Sequence, residues 1–347
     1  HYRSDTFYVT HFAVAQTIRG DTLKKIVPID LVKNGKINLQ LALLAGKPEE
    51  TMINFHRLEE FQRKIFVESE IKPVRFTDGD LVSINRLHLL GTDFLFTEKY
   101  SEAIGYKQII FNYEHDNMKV IYERVTQTPR RMASVKQGKQ ECIVEYSVKD
   151  YQVSVECIAV DLSGKITWEP YQKLTIDGVR EIIPLRANMF AAIAKNGSVS
   201  VRDYRPGEKW QEKQMLSIVN PLDVSSETFE GKLYMAVCSG QTKNSVHHGS
   251  VEIFVLTGKN FVLFQHIPIE TPIRIQFSVL PTGEFALYAL TSNPSQPLIV
   301  FLYAGMAGFQ QFAVASTIPK GHQLTVVKYP QFHKEFIVVL SANEATL

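Results

Sequence analysis

The sequence predicts an all-β protein, and more specifically a seven-bladed β-propeller of four-stranded antiparallel blades. Two observations lead to this fold class. Strand-like segments occur along the whole chain with almost no helical periodicity, and they recur in units of about 50 residues. The 347 residues are 45% hydrophobic and 21% charged, which is the composition of an ordinary globular protein. We therefore expect a single domain that spans residues 1–347.

The strand prediction rests on short apolar segments that are rich in Val, Ile, Phe and Tyr. Gly, Pro, Asn or Ser bound these segments, as is typical of strands between turns. Helical spacing of apolar residues is sustained nowhere, and the best candidate, residues 49–66, is interrupted by Asn54 and by β-branched and aromatic residues. The clearest strand segments are residues 251–256, 274–279, 284–290, 298–303 and 324–329.

An internal repeat sets the period. Residues 12–18 read Phe-Ala-Val-Ala-Gln-Thr-Ile, and residues 312–318 read Phe-Ala-Val-Ala-Ser-Thr-Ile, so the two copies agree at six of seven positions and lie 300 residues apart. Between them, an aromatic residue directly before a Gln recurs at residues 61–62, 210–211 and 264–265. Fixed-period similarity of this kind indicates a repeat architecture.

The period divides the chain into seven units of about four strands each. One four-stranded blade cannot bury both of its faces, so neighbouring blades must pack on each other around an axis. The first unit lacks its opening strand, which is expected from the C-terminal segment or from residues before His1. The predicted units are approximately residues 1–50, 51–106, 107–150, 151–197, 198–249, 250–296 and 297–347.

The repeated motif resembles the epitempin repeat, also called EAR or EPTP, of extracellular seven-bladed propellers. The resemblance is clearest in Phe-Val-Leu-Phe-Gln-His-Ile at residues 261–267, in Gly-Glu-Phe-Ala-Leu at residues 283–287, and in residues 309–318 with 335–339. It implies a secreted glycoprotein that acts as an interaction module, with no catalytic activity of its own. The implied partner is another protein, extracellular or on a cell surface.

Charge and motifs argue against other classes. Lys plus Arg number 38 and Asp plus Glu 36, without the basic stripe that nucleic-acid binders usually carry. The apolar runs are far shorter than the roughly 20 residues that span a bilayer, so no membrane insertion is expected. Nucleophile-elbow, zincin and phosphate-loop motifs are missing. The sequence therefore predicts no catalytic residues, no cofactor and no metal.

Two alternatives stay open beside the extracellular module. The first is an intracellular scaffold propeller, which would keep its cysteines reduced. The second is a channel-centred, metal-dependent hydrolase assembled from residues of several blades. His247-His248 and Asp78-Gly79-Asp80 have ligand-type side chains, but they are interpreted as a solvated loop and a tight turn.

The three cysteines bear on the compartment. A hairpin centred on Lys149 and Asp150 would place Cys142 opposite Cys157 on one apolar face. Either two buried thiols or a disulfide would fit there, and the family resemblance favours the disulfide and an oxidising compartment. Cys238 is expected to remain a free buried thiol.

Two surface features are candidate functional sites. Asn196-Gly197-Ser198 is both a hairpin turn signal and an N-glycosylation acceptor sequence, so Asn196 is a candidate glycosylation site. A basic stretch free of acidic residues is the candidate partner-contact loop, with an exposed, charge-balanced connection as the alternative. This stretch comprises Arg124, Arg130, Arg131, Lys136 and Lys139.

Recurrent aromatic residues are expected to pack in the core. Trp168 and Trp210 are assigned to packing between blades. Four phenylalanines at fixed positions of the repeat are likewise predicted to be core residues: Phe264, Phe285, Phe312 and Phe336.

Overall fold

The architecture is that of a computed structural model. It describes residues 17–19, 23–33, 36–47, 50–61, 64–76, 80–147, 152–160, 166–176, 178–186, 188–194, 196–205, 208–240, 249–316, 318, 320–329, 334–341 and 344–346. Within these residues the chain forms 29 strands in seven antiparallel sheets, numbered here as blades 1 to 7. The helical content of the same residues is a single 3₁₀ turn, Gly305–Ala307.

Each blade takes its strands from the chain in order, from the innermost strand outwards, except blade 7. Blade 1 consists of β2 (Lys25–Lys33), β3 (Lys36–Lys47), β4 (Glu50–Phe61) and β5 (Lys64–Glu68), with β6 (Val74–Phe76) also paired to β4. Blade 2 consists of β7 (Asp80–Leu89), β8 (Thr92–Ser101), β9 (Gly105–Glu114) and β10 (Asn117–Thr126). Blade 3 consists of β11 (Arg131–Gln137), β12 (Gln140–Tyr146), β13 (Gln152–Val160) and β14 (Ile166–Thr175).

The remaining blades repeat this plan. Blade 4 consists of β15 (Val179–Arg186), β16 (Met189–Ala194), β17 (Ser198–Asp203) and β18 (Gln211–Ser217). Blade 5 consists of β19 (Pro221–Phe229), β20 (Lys232–Ser239), β21 (Ser250–Thr257) and β22 (Asn260–Pro268). Blade 6 consists of β23 (Pro272–Val279), β24 (Phe285–Thr291), β25 (Leu298–Tyr303) and β26 (Phe309–Ala315). Blade 7 consists of β27 (Gln323–Tyr329), β28 (Lys334–Leu340), β29 (Glu344–Thr346) and, from the other end of the chain, β1 (Thr17–Arg19).

The blades form a closed ring. The first strand of each blade contacts the first strand of the next, and β27 of blade 7 contacts β2 of blade 1. Closure is completed by β1, which pairs antiparallel with β29, with Ile18 opposite Ala345. The seven-bladed all-β prediction is therefore confirmed. Residues 17–19 supply the outermost strand of the last blade, whereas the sequence predicts that the first unit lacks its opening strand.

The predicted unit boundaries are out of phase with the blades. Each predicted unit after the first opens at the third strand of a blade, as residue 198 opens β17 and residue 250 opens β21. The period is right, but the four strands of a predicted unit belong to two neighbouring sheets. Similarity between tandem repeats shows how long a unit is but contains no information on which strand hydrogen-bonds to which.

Apolar side chains of each blade pack against both neighbours, because the strands in the middle of a blade are covered on two faces. All residues of β16 and β24 are buried. In β12, Val144 packs towards blade 4 with Phe190, while the next residue in the chain, Ile143, packs towards blade 2 with Phe96. The period-2 alternation of the strand therefore sorts its residues between two interblade cores.

A glutamine clamp joins consecutive blades, and the copy of the aromatic–Gln repeat at residues 264–265 supplies one of these clamps. Gln265 on β22 accepts a hydrogen bond from the backbone N–H of Phe309 at 2.7 Å and donates one to its carbonyl at 3.0 Å. Gln214 binds Phe261 in the same way, at 2.7 and 2.9 Å. Gln172 binds Trp210 at 2.8 and 3.1 Å. Each outermost strand from blade 3 to blade 5 thus holds the start of the next outermost strand.

The residue directly before each clamping Gln is extruded in a β-bulge. The register of β22 with β21 skips Phe264, and the register of β14 with β13 skips Tyr171. A bulge leaves the extra residue without a partner in the strand pairing and redirects the side chain of that residue. Phe264 is accordingly 38% exposed, so its prediction as a core residue is wrong.

The other predicted core aromatics are buried or packed. Phe285 is 1% exposed and lies in an aromatic cluster between blades 5 and 6, with ring centroids 4.8 Å from Phe229 and 4.9 Å from Phe277. Phe312 and Phe336 are half-buried and pack against interblade cores. The tryptophans also serve packing: Trp210 is buried against Phe190 at 5.0 Å, and Trp168 lies 5.8 Å from Tyr122.

Candidate functional site at the channel mouth

Charged side chains gather where the innermost strands begin. All innermost strands start at the same face of the ring, so their first residues surround one end of the central channel, which we call the channel mouth. Across the ring, Lys25 of blade 1 experiences the charges of Arg131, Glu181 and Arg274 from blades 3, 4 and 6. These side chains therefore face a common space. The mouth residues are Lys25, Arg131, Arg180, Glu181, Asp223 and Arg274.

The arginines of the mouth are held by backbone carbonyls. Arg131 Nη1 donates to the carbonyl of Arg180 at 3.3 Å, and Arg180 Nη1 donates to the carbonyl of Pro221 at 3.0 Å. Arg274 Nη1 donates to the carbonyl of Leu222 at 3.4 Å. Neutral carbonyl partners orient the guanidinium groups, and the charge of Arg274 also acts to lower the pKa of Asp223. Among the mouth residues named above, four side chains are cationic and two are carboxyl groups.

Burial shifts the ionisation of two mouth residues. Desolvation lowers the pKa of Lys25 to about 8, with Arg131 and Arg274 acting in the same direction. Desolvation raises the pKa of Asp223 to about 7, and the negative charge of Glu181 adds to the shift. Lys25 Nζ donates to Asn85 Oδ1 at 2.6 Å, and Asp223 Oδ2 accepts from the backbone N–H of Ile275 at 2.9 Å. Perturbed ionisation of this kind is frequent at functional sites.

A buried acid–arginine cluster lies beside the mouth, between blades 2 and 3. Glu145 is 2% exposed and is bonded to Arg124, while Gln108 Nε2 donates to Glu145 Oε1 at 3.1 Å. Arg124 also lies 3.6 Å from Glu156, and Arg130 lies 3.9 Å from Glu145. These arginines neutralise carboxylates that would otherwise be buried without a counter-charge.

The predicted basic loop is therefore not one exposed surface. Arg124 lies on β10, and both it and Arg130 are engaged by buried carboxylates. Arg131 starts β11 at the channel mouth, whereas Lys136, near the other end of this strand, is paired with Glu141 at 3.6 Å. At about 3.3 Å per strand residue, Lys136 is roughly 17 Å from Arg131. Lys139 is exposed in the turn after β11, so of the five residues only Arg131 belongs to the mouth.

A cavity of about 310 Å³ opens next to the mouth in blade 2. Glu98, which is buried, and Arg131 both line it, together with the rings of Tyr100 and Tyr106. Burial raises the pKa of Glu98 to about 7, although a 2.6 Å hydrogen bond from the backbone N–H of Arg130 opposes the shift. The remaining lining residues are Val82, Ser83 and Pro129.

The cysteines adopt the arrangement that the hairpin predicts. Cys142 pairs with Cys157 in the β12–β13 register, with Tyr146 opposite Val153, and the two cysteines form a disulfide with a Cα–Cα distance of 4.0 Å. The turn of this hairpin, residues 148–151, lies outside the described residues. Cys238 is a buried free thiol, as predicted, and burial raises its pKa.

Asn196 lies at the same face as the channel mouth, in the turn between β16 and β17. It is exposed, and its Oδ1 accepts hydrogen bonds from the backbone N–H of Ser198 at 3.0 Å and from the Ser198 hydroxyl at 2.6 Å. It lines an open cleft of about 580 Å³ with Met215 and Val219. The turn prediction is confirmed, and glycosylation remains a prediction.

The histidine loop and the tight turn at residues 78–80, which the sequence analysis interprets as non-ligand features, lie mostly outside the described residues. His247, His248, Asp78 and Gly79 lie outside the described residues. In the described ranges, no three His, Cys, Asp or Glu side chains are grouped so that they could hold a metal ion. In the same part of the chain, no helix has the length and apolar character needed to cross a membrane.

Most mouth residues escaped the sequence analysis, although they share a signal. In three innermost strands, a β-bulge separates the first residue from a charged residue at the third position. These pairs are Val179 and Glu181, Pro221 and Asp223, and Pro272 and Arg274. A charged side chain at the third position of the innermost strand recurs in three consecutive blades. That recurrence becomes recognisable only when the repeat is counted from the innermost strand.

The closed ring of seven sheets defines the chain as a β-propeller, and solved propellers are similar to it. The WD40 domain of coronin from Toxoplasma gondii matches with a TM-score of 0.57 and 10% identity over 96% of this chain and 86% of that chain. The periplasmic gluconolactonase PpgL of Pseudomonas aeruginosa matches with a TM-score of 0.55 and 12% identity over 84% and 83%.

A protein from Lactobacillus plantarum matches with a TM-score of 0.56 and 10% identity over 85% of both chains. No protein-family model matches the sequence, and no curated protein matches it. At these identities the structural likeness shows the fold alone.

Proposed function

We propose that this propeller is an extracellular protein-interaction module, without catalytic activity, that binds an acidic segment of another protein at its channel mouth. The observation that carries the proposal is the excess of fixed positive charge there. The mouth arginines are oriented by carbonyls, so they are preorganised for carboxylates of a partner at little entropic cost. A rigid ring that displays loops on a flat face is well suited to this role.

The proposed compartment rests on the disulfide. Disulfides persist in oxidising environments and are rare in the cytosol, and Cys142–Cys157 is completely buried in blade 3. The resemblance to epitempin repeats supports the same location, and a glycan on the exposed Asn196 would accompany it. An intracellular scaffold is the competing assignment.

Binding is tested by screening the purified propeller against a panel of cell-surface ectodomains and by measuring the salt dependence of each hit. For a genuine partner, we expect the Arg274→Gln and Lys25→Gln variants to weaken binding about tenfold or more, as expected for charge pairs in a desolvated interface. Lys119→Gln on β10 of blade 2, an exposed residue outside the mouth, is the charge-matched control. Partners that bind all variants equally would contradict the assignment to the mouth.

The compartment is tested separately by counting thiols in protein from its native source. One alkylatable thiol under denaturing conditions is expected, from Cys238, together with a linked peptide pair containing residues 142 and 157. Three alkylatable thiols would favour the intracellular scaffold.

A second candidate function is hydrolysis in the channel. Asp223 and Lys25 both have pKa values displaced towards neutrality, which is the condition for general acid–base catalysis near pH 7. A gluconolactonase shares the fold. Lactone hydrolysis followed in a pH-stat, with and without added divalent metal, tests this candidate. Turnover that is abolished by Asp223→Asn would support it over the binding module.

A further inference from the structure

The cavity in blade 2 combines groups that seldom share one small space. It lies between the start of β7, the end of β8, the start of β9 and the segment that enters β11. Its volume of about 310 Å³ is at the lower end of the roughly 300–1,000 Å³ typical of ligand pockets. A ligand of single-residue size would fill it.

Opposite charges line this cavity, and the positive charge of Arg131 acts to lower the pKa of Glu98. Glu98 accepts a hydrogen bond from the backbone N–H of Arg130, and Arg131 donates to the carbonyl of Arg180. The Glu145 carboxylate beside Glu98 is already bonded to Arg124. The side chain of Gln108 also bonds Glu98, and the side chain of Arg131 also bonds Tyr146. A carboxylate and a guanidinium group can each form several hydrogen bonds, so both can still engage a ligand that carries a cation and an anion.

Aromatic rings form the wall between these charges. The ring centroids of Tyr100 and Tyr106 are 4.9 Å apart, and Tyr100 is 37% exposed. The face of an aromatic ring attracts an ammonium group, and more strongly where water is partly excluded. Val82 and Pro129 add an apolar side against which a hydrocarbon side chain can pack.

We propose that this cavity binds a small zwitterion of the α-amino-acid class, with its carboxylate on Arg131 and its ammonium group between Glu98 and the two tyrosines. The cavity is separate from the acidic-partner interface at the mouth, although Arg131 borders both. The proposal does not depend on that interface.

Binding is expected to release protons near neutral pH. Glu98 titrates at about 7 and is faced by Ser83 from β7, Gln108 from β9, Arg131 from β11 and Glu145 from β12. Arg130 reaches it through its backbone N–H. A bound ammonium stabilises the ionised carboxyl and lowers its pKa, so affinity should rise as the pH increases from about 6 to about 8.

The experiment is isothermal titration calorimetry of the full chain with glutamine, methionine and phenylalanine, each also as its N-acetyl and carboxamide derivative. At least one free amino acid should bind with a Kd of about 0.1–1 mM. Either derivative should bind about tenfold or more weakly, since each lacks one charge. Titrations in buffers of different ionisation enthalpy should report proton release.

Variants locate the site. Glu98→Gln should abolish both the pH dependence and the proton release, and Arg131→Gln should weaken binding about tenfold. Tyr100→Ala, at an exposed position, provides a variant that retains the fold if Glu98→Gln does not. Glu114→Gln and Lys119→Gln on the outer strands are the charge-matched controls.

Three outcomes would overturn the proposal: no binding of any free amino acid up to about 10 mM, equal binding of the derivatives, or saturation by a neutral monosaccharide instead. Because these measurements use small ligands, they can fail while the acidic-partner screen succeeds, and the reverse.

Discussion

Asp223 is a carboxyl group whose ionisation opposes folding. Its pKa in the folded protein is about 7, against 3.8 for an ordinary Asp, because the side chain is desolvated close to Glu181. The folded state holds the proton more tightly than the unfolded state does. Its contribution to stability is therefore present below about pH 3.8 and is lost as the pH rises through 7.

Asp223→Asn should consequently become more stable than the parent protein as the pH rises from about 4 to about 8, by up to a few kcal/mol at 1.4 kcal/mol per pKa unit. The amide oxygen can still accept the hydrogen bond from the Ile275 N–H, so the local structure should be kept. Urea unfolding of both proteins across this pH range measures the difference. Parallel pH profiles would show that the Asp223 pKa is not shifted.

Two phenylalanines of the same repeat should differ in their contribution to stability. Phe285 is enclosed in the aromatic cluster, so Phe285→Ala should cost about 3–5 kcal/mol through lost contacts and a cavity. Phe264 sits on a bulge and is 38% exposed, so Phe264→Ala should cost about 1 kcal/mol. Denaturant titrations give both values, and equal losses would contradict the burial difference.

At the scale of the strand, the clamping glutamines are specific connections between blades. Gln265→Leu would leave the N–H and carbonyl of Phe309 without their partner, at about 1–3 kcal/mol for each buried group. A loss of about 2–4 kcal/mol in the free energy of unfolding is expected. Gln211→Leu is the matched control, because Gln211 is exposed and clamps no neighbouring strand. If Gln265→Leu and Gln211→Leu lower the free energy of unfolding equally, the two hydrogen bonds between Gln265 and Phe309 do not stabilise the protein.

Gly308 provides an independent check on the same clamp. A Cβ at this position would lie 2.4 Å from Gln265 Oε1, and the residue has a φ of 71° that favours glycine. The clamp therefore sets a steric requirement on the turn that precedes β26. The sequence reveals the adjacent Phe264 and Gln265, but not that Gln265 bonds the backbone of the next blade.

At the scale of the whole molecule, the ring depends on the pairing of β1 with β29. A variant that begins after Arg19 should have a lower melting temperature and should self-associate, because β29 would become an unpaired sheet edge. Thermal melting and size-exclusion chromatography measure the two effects. Ile26 is clamped by Gln323 at 3.0 and 2.7 Å, so the inner closure remains in this variant. A monomer that melts like the full chain would show β1 to be dispensable.

Local features were predictable from the sequence, and features created by the ring were not. The Cys142–Cys157 pair follows from one hairpin, whose register depends on neighbouring residues only. The mouth, in contrast, brings Lys25 together with Glu181 from the opposite side of the ring. Only the closure of the seven blades brings these two residues close together. In the same way, the sequence does not show that Arg124 pairs with the buried carboxylate of Glu145.

The pairing of Ile18 with Ala345 also determines when the ring of blades can close during synthesis. The chain leaves the ribosome from its N-terminal end, so β1 emerges among the first strands and its partner β29 among the last. Blades 1 to 6 can assemble as they appear, whereas β1 must wait without a partner. Such a long-range contact is slow to form, and an unpaired strand is prone to wrong association in the meantime. The propeller therefore remains open to wrong association until β29 has been released.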